Sequence, residues 1–131
     1  MKSERLGRNF LILTIFLGLC AWESMGTVFA DAIVISYCQK TKSFGIESDE
    51  SEGKATEKSL RHCNASGGHK VEGCCRVVGI AEEGCIAIAV ASDGEYGLEK
   101  GDTAAEAISA AVENCPTSGC IVKTSRCLKS D

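Results

Sequence analysis

The residues with the greatest chemical potential in this chain are its cysteines and histidines. The 131 residues include nine cysteines and two histidines. Thiolates and imidazoles bind zinc, and a cysteine beside a histidine can act as a nucleophile. Cysteines oxidised in pairs form disulfides instead, and disulfides persist in oxidising compartments. The spacing of these residues and the compartment of the protein therefore decide between metal binding, catalysis and cross-linking.

A zinc site would use the cluster of ligand-type residues between positions 62 and 75. Its members are His62, Cys63, His69, Cys74 and Cys75. Structural zinc sites usually draw on ligand pairs whose members are about two to four residues apart. The adjacent pairs in this cluster lack that spacing, and neighbouring side chains do not easily reach one metal ion. The sequence therefore predicts neither a metal site nor a cofactor.

Thiol catalysis and calcium binding have as little support. The chain has no Cys-x-x-Cys redox motif. The acidic run at residues 47–57 does not form an EF-hand loop, because Glu52 and Lys58 occupy the positions that require glycine and glutamate. Glu82 and Glu83 fall in a predicted loop, where solvation is the ordinary explanation. We therefore predict no catalytic residue.

The amino-terminal segment has the features of a secretory signal peptide. It begins with three basic residues, Lys2, Arg5 and Arg8. Residues 10–22 follow with only Thr14 polar, and this run is shorter than the roughly twenty residues of a membrane span. Small residues at Val28 and Ala30 provide a cleavage site. We predict that residues 1–30 are removed and that the protein is secreted or periplasmic, starting at Asp31.

Cleavage also resolves the odd number of cysteines. Cys20 lies in the leader and offers the alternative of a lipoprotein anchored through that residue, although Leu19 is larger than the residue that such processing favours. An even number on a small exported chain is typical of a disulfide framework. The predicted disulfide cysteines are Cys38, Cys63, Cys74, Cys75, Cys85, Cys115, Cys120 and Cys127.

The mature chain is predicted to be one acidic domain, residues 31–131. Removing the leader takes away three basic and two acidic residues and leaves a formal charge of −5. Nucleic acids and anionic membranes attract basic surfaces, so neither is an expected partner. No membrane span is expected after cleavage. A protein or envelope component remains as the expected partner, and the sequence leaves the oligomeric state open.

Two segments of the chain are similar and predict a degenerate internal repeat. Residues 44–47 (Phe-Gly-Ile-Glu) correspond to residues 96–99 (Tyr-Gly-Leu-Glu). Cys63 and Cys115 each follow the first residue of their segment by nineteen positions. The predicted copies cover about residues 32–84 and 85–128. In this alignment His62 corresponds to Asn114, so a histidine is not required for the unit to form.

Each copy is predicted to contain a helix between strands. Thr103 and Glu106 form a capping box, and Ser51 aligns with Thr103. After Thr103, an apolar helical face is predicted at Ile108, Ala111, Val112 and Cys115, and Pro116 ends the helix.

The predicted strands complete an α+β fold. They lie at residues 32–35, 75–80, 86–91 and from residue 121, with residues 81–84 forming a hairpin loop. The order is strand, helix, strand, strand, helix, strand. We expect one sheet with two helices on one face, either as a ferredoxin-like arrangement or as two interlocked copies.

The disulfide pairing is open from the sequence, since eight cysteines allow 105 pairings. We expect Cys115–Cys120 to close the loop after the second helix. By analogy, Cys63 pairs with Cys74 or Cys75. The remaining four cysteines would then connect the two copies.

The second copy resembles the bacterial domain of unknown function 4189. The residues that carry the resemblance are Gly84-Cys85-Ile86-Ala87-Ile88-Ala89, Tyr96-Gly97, Thr103-Ala104-Ala105-Glu106-Ala107, Asn114-Cys115 and Gly119-Cys120-Ile121-Val122, ending at Cys127. The resemblance is strong over residues 84–128 and faint over residues 32–85. It implies an exported, disulfide-bonded α+β domain of bacterial origin and no established reaction. An effector-like role is compatible with it.

The sequence favours a non-catalytic binding or interaction module that acts in the periplasm or outside the cell. A disulfide scaffold leaves its loops free to vary, which suits recognition. A small secreted enzyme without a recognisable motif and a structural envelope protein are the alternatives, so enzymatic activity stays open.

Overall fold

The computed structural model describes residues 31–128. The predicted leader with its Cys20 and the last three residues lie outside this range. None of the helices within residues 31–128 is both long enough and apolar enough to cross a membrane.

The described chain forms six strands and two α-helices. In chain order the elements are β1 (Ala32–Cys38), β2 (Ser43–Asp49), α1 (Glu52–Ala65), β3 (Arg76–Ala81), β4 (Cys85–Val90), β5 (Tyr96–Gly101), α2 (Ala104–Glu113) and β6 (Ile121–Cys127), with a short 3₁₀ turn at Gly68–Lys70 between α1 and β3. The four predicted strands and both predicted helices are present, and β2 and β5 are additional.

The predicted single sheet is wrong, because the strands form two separate antiparallel sheets. Each sheet has three strands, in the order β2-β1-β3 and β5-β4-β6. The two additional strands explain the difference. Each sits beside its middle strand as an edge strand, so each half of the chain completes its own sheet. The same division excludes the ferredoxin-like arrangement. We call β1 to β3 with α1 the N-terminal half, and β4 to β6 with α2 the C-terminal half.

The predicted hairpin at residues 75–91 is also wrong. β3 pairs with β1, whereas β4 pairs with β5 and β6, so β3 and β4 lie in different sheets. Residues 82–84 therefore connect the two halves. Neighbouring strands joined by a short loop need not pair if each has a better partner in its own half.

The two sheets pack face to face, and each helix covers the outer face of one sheet. One face of β1 and one face of β4 form the apolar cluster between the sheets. The fully buried members include Ile33 and Ile35 from β1 and Ile86 and Ile88 from β4. The opposite face of β4 packs against α2 through small residues such as Ala87 and Ala107. The resulting layers are helix, sheet, sheet and helix.

Both helices begin at the predicted caps. Ser51 caps α1 by accepting a hydrogen bond from the Lys54 N–H. Thr103 caps α2 by accepting from the Glu106 N–H at 3.2 Å, and the Glu106 carboxylate in turn accepts from the Asp102 N–H at 3.1 Å. In each helix one of the N–H groups that have no intrahelical partner, that of Lys54 or of Glu106, is thus satisfied by the cap.

The buried face of α2 differs from the predicted one. Ala107 and Ala111 are fully buried, whereas Val112 is 41% exposed. The helix therefore approaches its sheet through its smallest side chains, which shortens the distance between the two backbones.

A glycine in each half makes this close approach possible. A Cβ atom at Gly45 of β2 would overlap the Ser59 carbonyl oxygen of α1. A Cβ atom at Gly97 of β5 would overlap the Ala111 carbonyl oxygen of α2 in the same way. Each helix thus rests directly on the backbone of an edge strand, and glycine is required there because a side chain would push the helix away.

Candidate functional site

All eight cysteines of the described chain are paired in disulfides. The bonds are Cys38–Cys74, Cys63–Cys75, Cys85–Cys127 and Cys115–Cys120. The expected pairing within the loop after α2 is present, and Cys63 pairs with one of its two expected partners. The expectation that the other four cysteines connect the copies is wrong. Each disulfide lies within one half, because the middle strand of each sheet has its own cysteine partner close by.

The disulfides stabilise the two halves at different places. Cys63–Cys75 and Cys115–Cys120 each fasten the carboxyl end of a helix to the segment that follows it. Cys38–Cys74 lies at the carboxyl end of β1, whereas Cys85–Cys127 lies at the amino end of β4.

Three members of the cluster considered for zinc, Cys63, Cys74 and Cys75, are used in this framework. The described residues contain no group of three or more His, Cys, Asp and Glu side chains arranged to hold a metal ion.

The two histidines lie apart from each other and contact different groups. His62 Nδ1 lies 3.4 Å from Glu47 Oε2, and Arg126 from the other half lies 3.7 Å from the same oxygen. His69 Nδ1 lies 2.8 Å from the Asn64 carbonyl oxygen. His62 is at the end of α1 with most of its side chain exposed. This exposure at a helix end is typical of a solvated side chain.

An open cleft of about 850 Å³ lies at one end of the sandwich, where the two halves meet. We call it the acidic cleft. Its charged lining residues are Glu52, Glu82, Glu83, Lys100 and Asp102, with Ile80 contributing apolar surface.

The secondary structure explains why these side chains converge. β3 and β5 both end at this side of the molecule, and α1 begins there. Glu82 and Glu83 follow β3, and Asp102 follows β5. Glu52 is in the first turn of α1, where the helix dipole favours a negative charge.

The link between the halves is held in place beside the cleft. The Leu128 N–H donates to the Gly84 carbonyl oxygen at 3.0 Å. The neighbouring Cys85–Cys127 disulfide joins β4 to β6. A covalent bond and a backbone hydrogen bond therefore restrain the segment that carries Glu82 and Glu83.

The carboxylates of the acidic cleft are not neutralised by the protein. The ion pairs that the structure shows within residues 31–128 involve Asp49 and Glu47. Lys100 lines the cleft but takes part in none of them. Asp49, which lies outside the cleft, differs in having a lysine as its partner. The hydrogen bond from Lys58 Nζ, 2.7 Å from Asp49 Oδ2, holds the pKa of Asp49 below its ordinary value, and the Ser51 N–H adds to this effect. The cleft therefore presents four carboxylates and one lysine ammonium group to solvent, with an excess of negative charge.

The sequence did not reveal this cleft. The sequence predicts that Glu82 and Glu83 lie in a solvated loop and that Glu52 belongs to an acidic run without a calcium-binding pattern. Both descriptions hold for the individual residues. Their convergence with Asp102 depends on the stacking of two sheets, and no spacing in the sequence reports that arrangement.

The fold and its framework define a class of protein: a small α+β domain in which two sheets are stacked between two helices and four disulfides hold the halves. Residues 32–127 match the family described as domain of unknown function (DUF4189), and the chain belongs to this family. The match begins with β1 and ends with β6, so both halves together form one family domain. It confirms the resemblance and extends it across the N-terminal half. Searches of curated proteins and of solved structures found no match.

Proposed function

We propose that the protein is a non-catalytic binding module that acts in the periplasm or outside the cell. The observation that carries this proposal is the acidic cleft, an open surface built by both halves on a scaffold restrained by disulfides. Recognition surfaces gain from such rigidity, because less conformational entropy is lost when a partner binds.

The partner of the acidic cleft is expected to carry basic groups. Four carboxylates around one cleft create a negative local potential that attracts cations and repels anions. Ile80 adds apolar surface for the aliphatic part of a lysine or arginine side chain. A peptide segment or envelope component with closely spaced amino groups fits this chemistry.

Action outside the cytoplasm is supported by the disulfide framework and by the predicted leader. Disulfides of this number are typical of oxidising compartments. The mass of the protein from its native compartment tests this part of the proposal. We expect a chain that begins at Asp31 and gains about eight daltons on reduction, about two for each of four disulfides. A retained leader, a lipid on Cys20 or free thiols would contradict it.

Binding to a basic probe tests the cleft itself. A tetralysine peptide is titrated into the oxidised protein and followed by calorimetry at low salt. We expect the double variant Glu82→Gln and Glu83→Gln to weaken binding about threefold to tenfold, because exposed ion pairs each contribute up to about 1 kcal/mol.

A matched control separates the cleft from the overall negative charge. The double variant Glu57→Gln and Glu113→Gln removes the same charge from exposed positions on the two helices. We expect this control to change the affinity less than twofold. Equal effects of the two double variants would show that the peptide responds to net charge, and the proposed binding site would be rejected.

We also propose that the two halves arose by duplication of one unit. Their shared element order and the corresponding contacts of Gly45 and Gly97 support this proposal. Separate alignment of the two halves across many family members tests it. We expect a constant offset within each pair of corresponding elements: 52 positions from Gly45 to Gly97, and 53 from Ser36 of β1 to Ala89 of β4. Offsets that vary within one pair of elements would argue for convergence.

A further inference from the structure

A second open cleft, of about 540 Å³, has the opposite charge. We call it the basic cleft. Its charged lining residues are Lys40, Lys42, Arg76 and Asp93. Lys42 directly precedes β2 and Arg76 begins β3, whereas the acidic cleft gathers residues that follow the other ends of β2, β3 and β5. Strands of six or seven residues span about 20 Å, so the two clefts lie at opposite ends of the sandwich.

The three cations of the basic cleft outnumber its one carboxylate and are not held in close ion pairs within residues 31–128. The ion pairs found within residues 31–128 use Lys58, His62 and Arg126 as their cations. Lys40, Lys42 and Arg76 are therefore outside these pairs, and all three side chains are exposed. The protein is acidic as a whole, which makes a concentration of three cations at one cleft unexpected from composition. Mutual repulsion of these cations is relieved when an anion binds between them.

The segment that carries the two lysines is held from two sides. The Cys38–Cys74 disulfide ties its beginning to the loop that precedes Arg76. Lys42 Nζ donates to the Ser92 carbonyl oxygen of the C-terminal half at 2.6 Å. The cleft is thus fixed by a covalent bond on one side and by a contact between the halves on the other.

The backbone conformation of Lys42 is a further feature of the basic cleft. Lys42 has a φ angle of 59°, and it is the one non-glycine residue within positions 31–128 with a positive φ. A left-handed residue commonly closes the short turn of a β-hairpin, and Lys42 closes the turn between β1 and β2. Here it places a lysine, rather than the glycine that the backbone favours, at the edge of a cleft.

The lining groups indicate the chemistry of the ligand. The planar guanidinium of Arg76 can donate two parallel hydrogen bonds to one phosphate group. The ammonium groups of Lys40 and Lys42 can pair with the second negative charge of a phosphate monoester. Asp93 would repel that phosphate if it touched it, but a carboxylate accepts hydrogen bonds from hydroxyl groups. One of its oxygens already accepts from the Glu95 N–H at 3.0 Å, which fixes the side chain at the cleft.

We propose that the basic cleft binds a soluble phosphate monoester of a polyol or sugar, with Lys40, Lys42 and Arg76 on the phosphate and Asp93 on a hydroxyl group. This site is separate from the acidic cleft, so it goes beyond the binding function proposed above and does not depend on it. The cleft volume of about 540 Å³ favours a compact soluble ligand over an extended membrane surface.

Titration with three small phosphates tests the proposal. The oxidised protein is titrated with glycerol 3-phosphate, methyl phosphate and inorganic phosphate, and binding is measured by calorimetry and by NMR shift changes. We expect glycerol 3-phosphate to bind with a dissociation constant of about 1 mM or lower at low salt. The double variant Lys40→Gln and Arg76→Gln is expected to weaken this binding at least about tenfold. Absence of saturable binding by the unchanged protein would overturn the proposal.

Matched controls exclude general charge effects and misfolding. Lys54→Gln combined with Lys123→Gln removes two exposed lysines outside the cleft and should change the affinity less than about twofold. Lys40→Gln alone, in the exposed turn, provides the same test if the double variant does not fold, with an expected loss of about threefold. A control that weakens binding as much as the cleft variants would overturn the assignment to this cleft.

Two further arms test the role of Asp93 and the source of the phosphate. Asp93→Asn keeps an oxygen for the Glu95 N–H but removes the negative charge. We expect it to reduce the preference for glycerol 3-phosphate over methyl phosphate, because a charged acceptor binds a hydroxyl group more strongly than an amide does, while inorganic phosphate binds as well or better. Retention of the preference would overturn the role of Asp93. Sedimentation with phosphatidylglycerol vesicles, without binding of the soluble ester, would identify a membrane headgroup as the ligand and overturn the soluble one.

Discussion

The two halves of the molecule have the same architecture but fill the space beneath their helices differently. In the N-terminal half, Ser36 of β1 and Ser59 of α1 are both fully buried. Ser36 Oγ donates to the Ser59 carbonyl oxygen at 2.7 Å, and the Ser59 hydroxyl lies 2.8 Å from Ser36 Oγ. In the C-terminal half, the corresponding positions are Ala89, which pairs with Gly97 as Ser36 pairs with Gly45, and Ala111.

This difference shows that size, rather than polarity, is the shared requirement at this interface. Both solutions use the smallest side chains, because Gly45 and Gly97 bring the helix and strand backbones close together. A hydroxyl can be buried there only because it finds hydrogen-bond partners, and alanine avoids the need for them. No buried side-chain nitrogen or oxygen within residues 31–128 lacks a partner.

The first and largest test of the comparison concerns the disulfides. Cys85–Cys127 closes a loop with a sequence separation of 42, and Cys115–Cys120 one with a separation of 5. Loop-closure entropy predicts that replacing both cysteines of the long bond by alanine lowers the free energy of unfolding by about 4 kcal/mol, against about 2 kcal/mol for the short bond. Urea denaturation of the two double variants measures both values.

The corresponding pair in the N-terminal half provides the comparison. Cys38–Cys74, with a separation of 36, should also contribute about 4 kcal/mol, although it lies at the opposite end of its middle strand. A loss that is much smaller in one half would show that the denatured chain retains structure there.

The second test concerns the two glycines beneath the helices. Gly45→Ala and Gly97→Ala each force a helix away from its strand, and we expect each to lower the free energy of unfolding by about 3 kcal/mol. Gly45→Ala should cost about 1 kcal/mol more, because it also disturbs the Ser59 hydroxyl, which lies 3.1 Å from the Gly45 carbonyl oxygen.

Gly53→Ala is the control for this test. Gly53 lies in the first turn of α1, and a Cβ atom there meets nothing closer than 3.6 Å. Alanine is the better helix former by about 1 kcal/mol, so this variant should be neutral or more stable. Similar behaviour of Gly53→Ala and Gly45→Ala would contradict the close approach.

The third test converts one half into the other. Ser36→Ala and Ser59→Ala each remove a partner of the buried hydrogen bonds and should each cost about 1–2 kcal/mol. The double variant reproduces the alanine pair of the C-terminal half and should cost less than the sum, since the two residues share a hydrogen bond. Thermal and urea unfolding of the three variants and of the unchanged protein give the coupling energy of the two serines in a double-mutant cycle. Strictly additive costs would mean that the hydroxyls act independently.

The smallest effect concerns the pH dependence of the contact between the halves. Tyr37 donates to the Gly94 carbonyl oxygen at 2.8 Å, and burial raises its pKa from 10.0 to about 12, with a further contribution from Tyr96. The folded protein holds this proton more tightly than the unfolded chain. The stabilisation is therefore complete below pH 10 and is lost progressively as the pH rises from about 10 towards 12.

At pH 11 the free energy of unfolding should be lower by about 1 kcal/mol than at pH 9. Tyr37→Phe should be less stable than the unchanged protein at pH 9 and should lose this part of the pH dependence. The position of Tyr37 in the C-terminal half is occupied by Val90, which pairs with Tyr96 as Tyr37 pairs with Phe44. An identical pH profile for Tyr37→Phe would assign the effect to another group.

Local signals predicted much of the secondary structure. The cap at Thr103 is visible because Glu106 lies three positions after it, and Ser51 is identified by its alignment with Thr103, since Lys54 rather than glutamate follows it at that spacing. The middle strands were visible as apolar runs. β2 and β5 were missed, since Gly45 and Gly97 and the charged residues that follow them interrupt any apolar pattern. The role of those glycines is to let a helix approach the strand closely, and that helix follows later in the sequence.

The candidate clefts were the least predictable part. Lys42 and Arg76 are separated by more than thirty positions, as are Glu52 and Asp102. Single charges in loops carry no signal of convergence, because a solvated charge and a clustered one look the same in a sequence. The cysteine pairing was intermediate: the short loop at Cys115–Cys120 followed from local spacing, whereas the long-range pairs did not.

By itself, the sequence determined the helix starts, the middle strands, the disulfide-rich character and the family, because each of these depends on residue types at short and regular spacing. The tertiary structure alone decided that the strands form two sheets, that the long disulfides stay within each half, and that opposite charges gather at the two ends. These outcomes depend on which surfaces bury each other, and burial is a property of the whole packed chain.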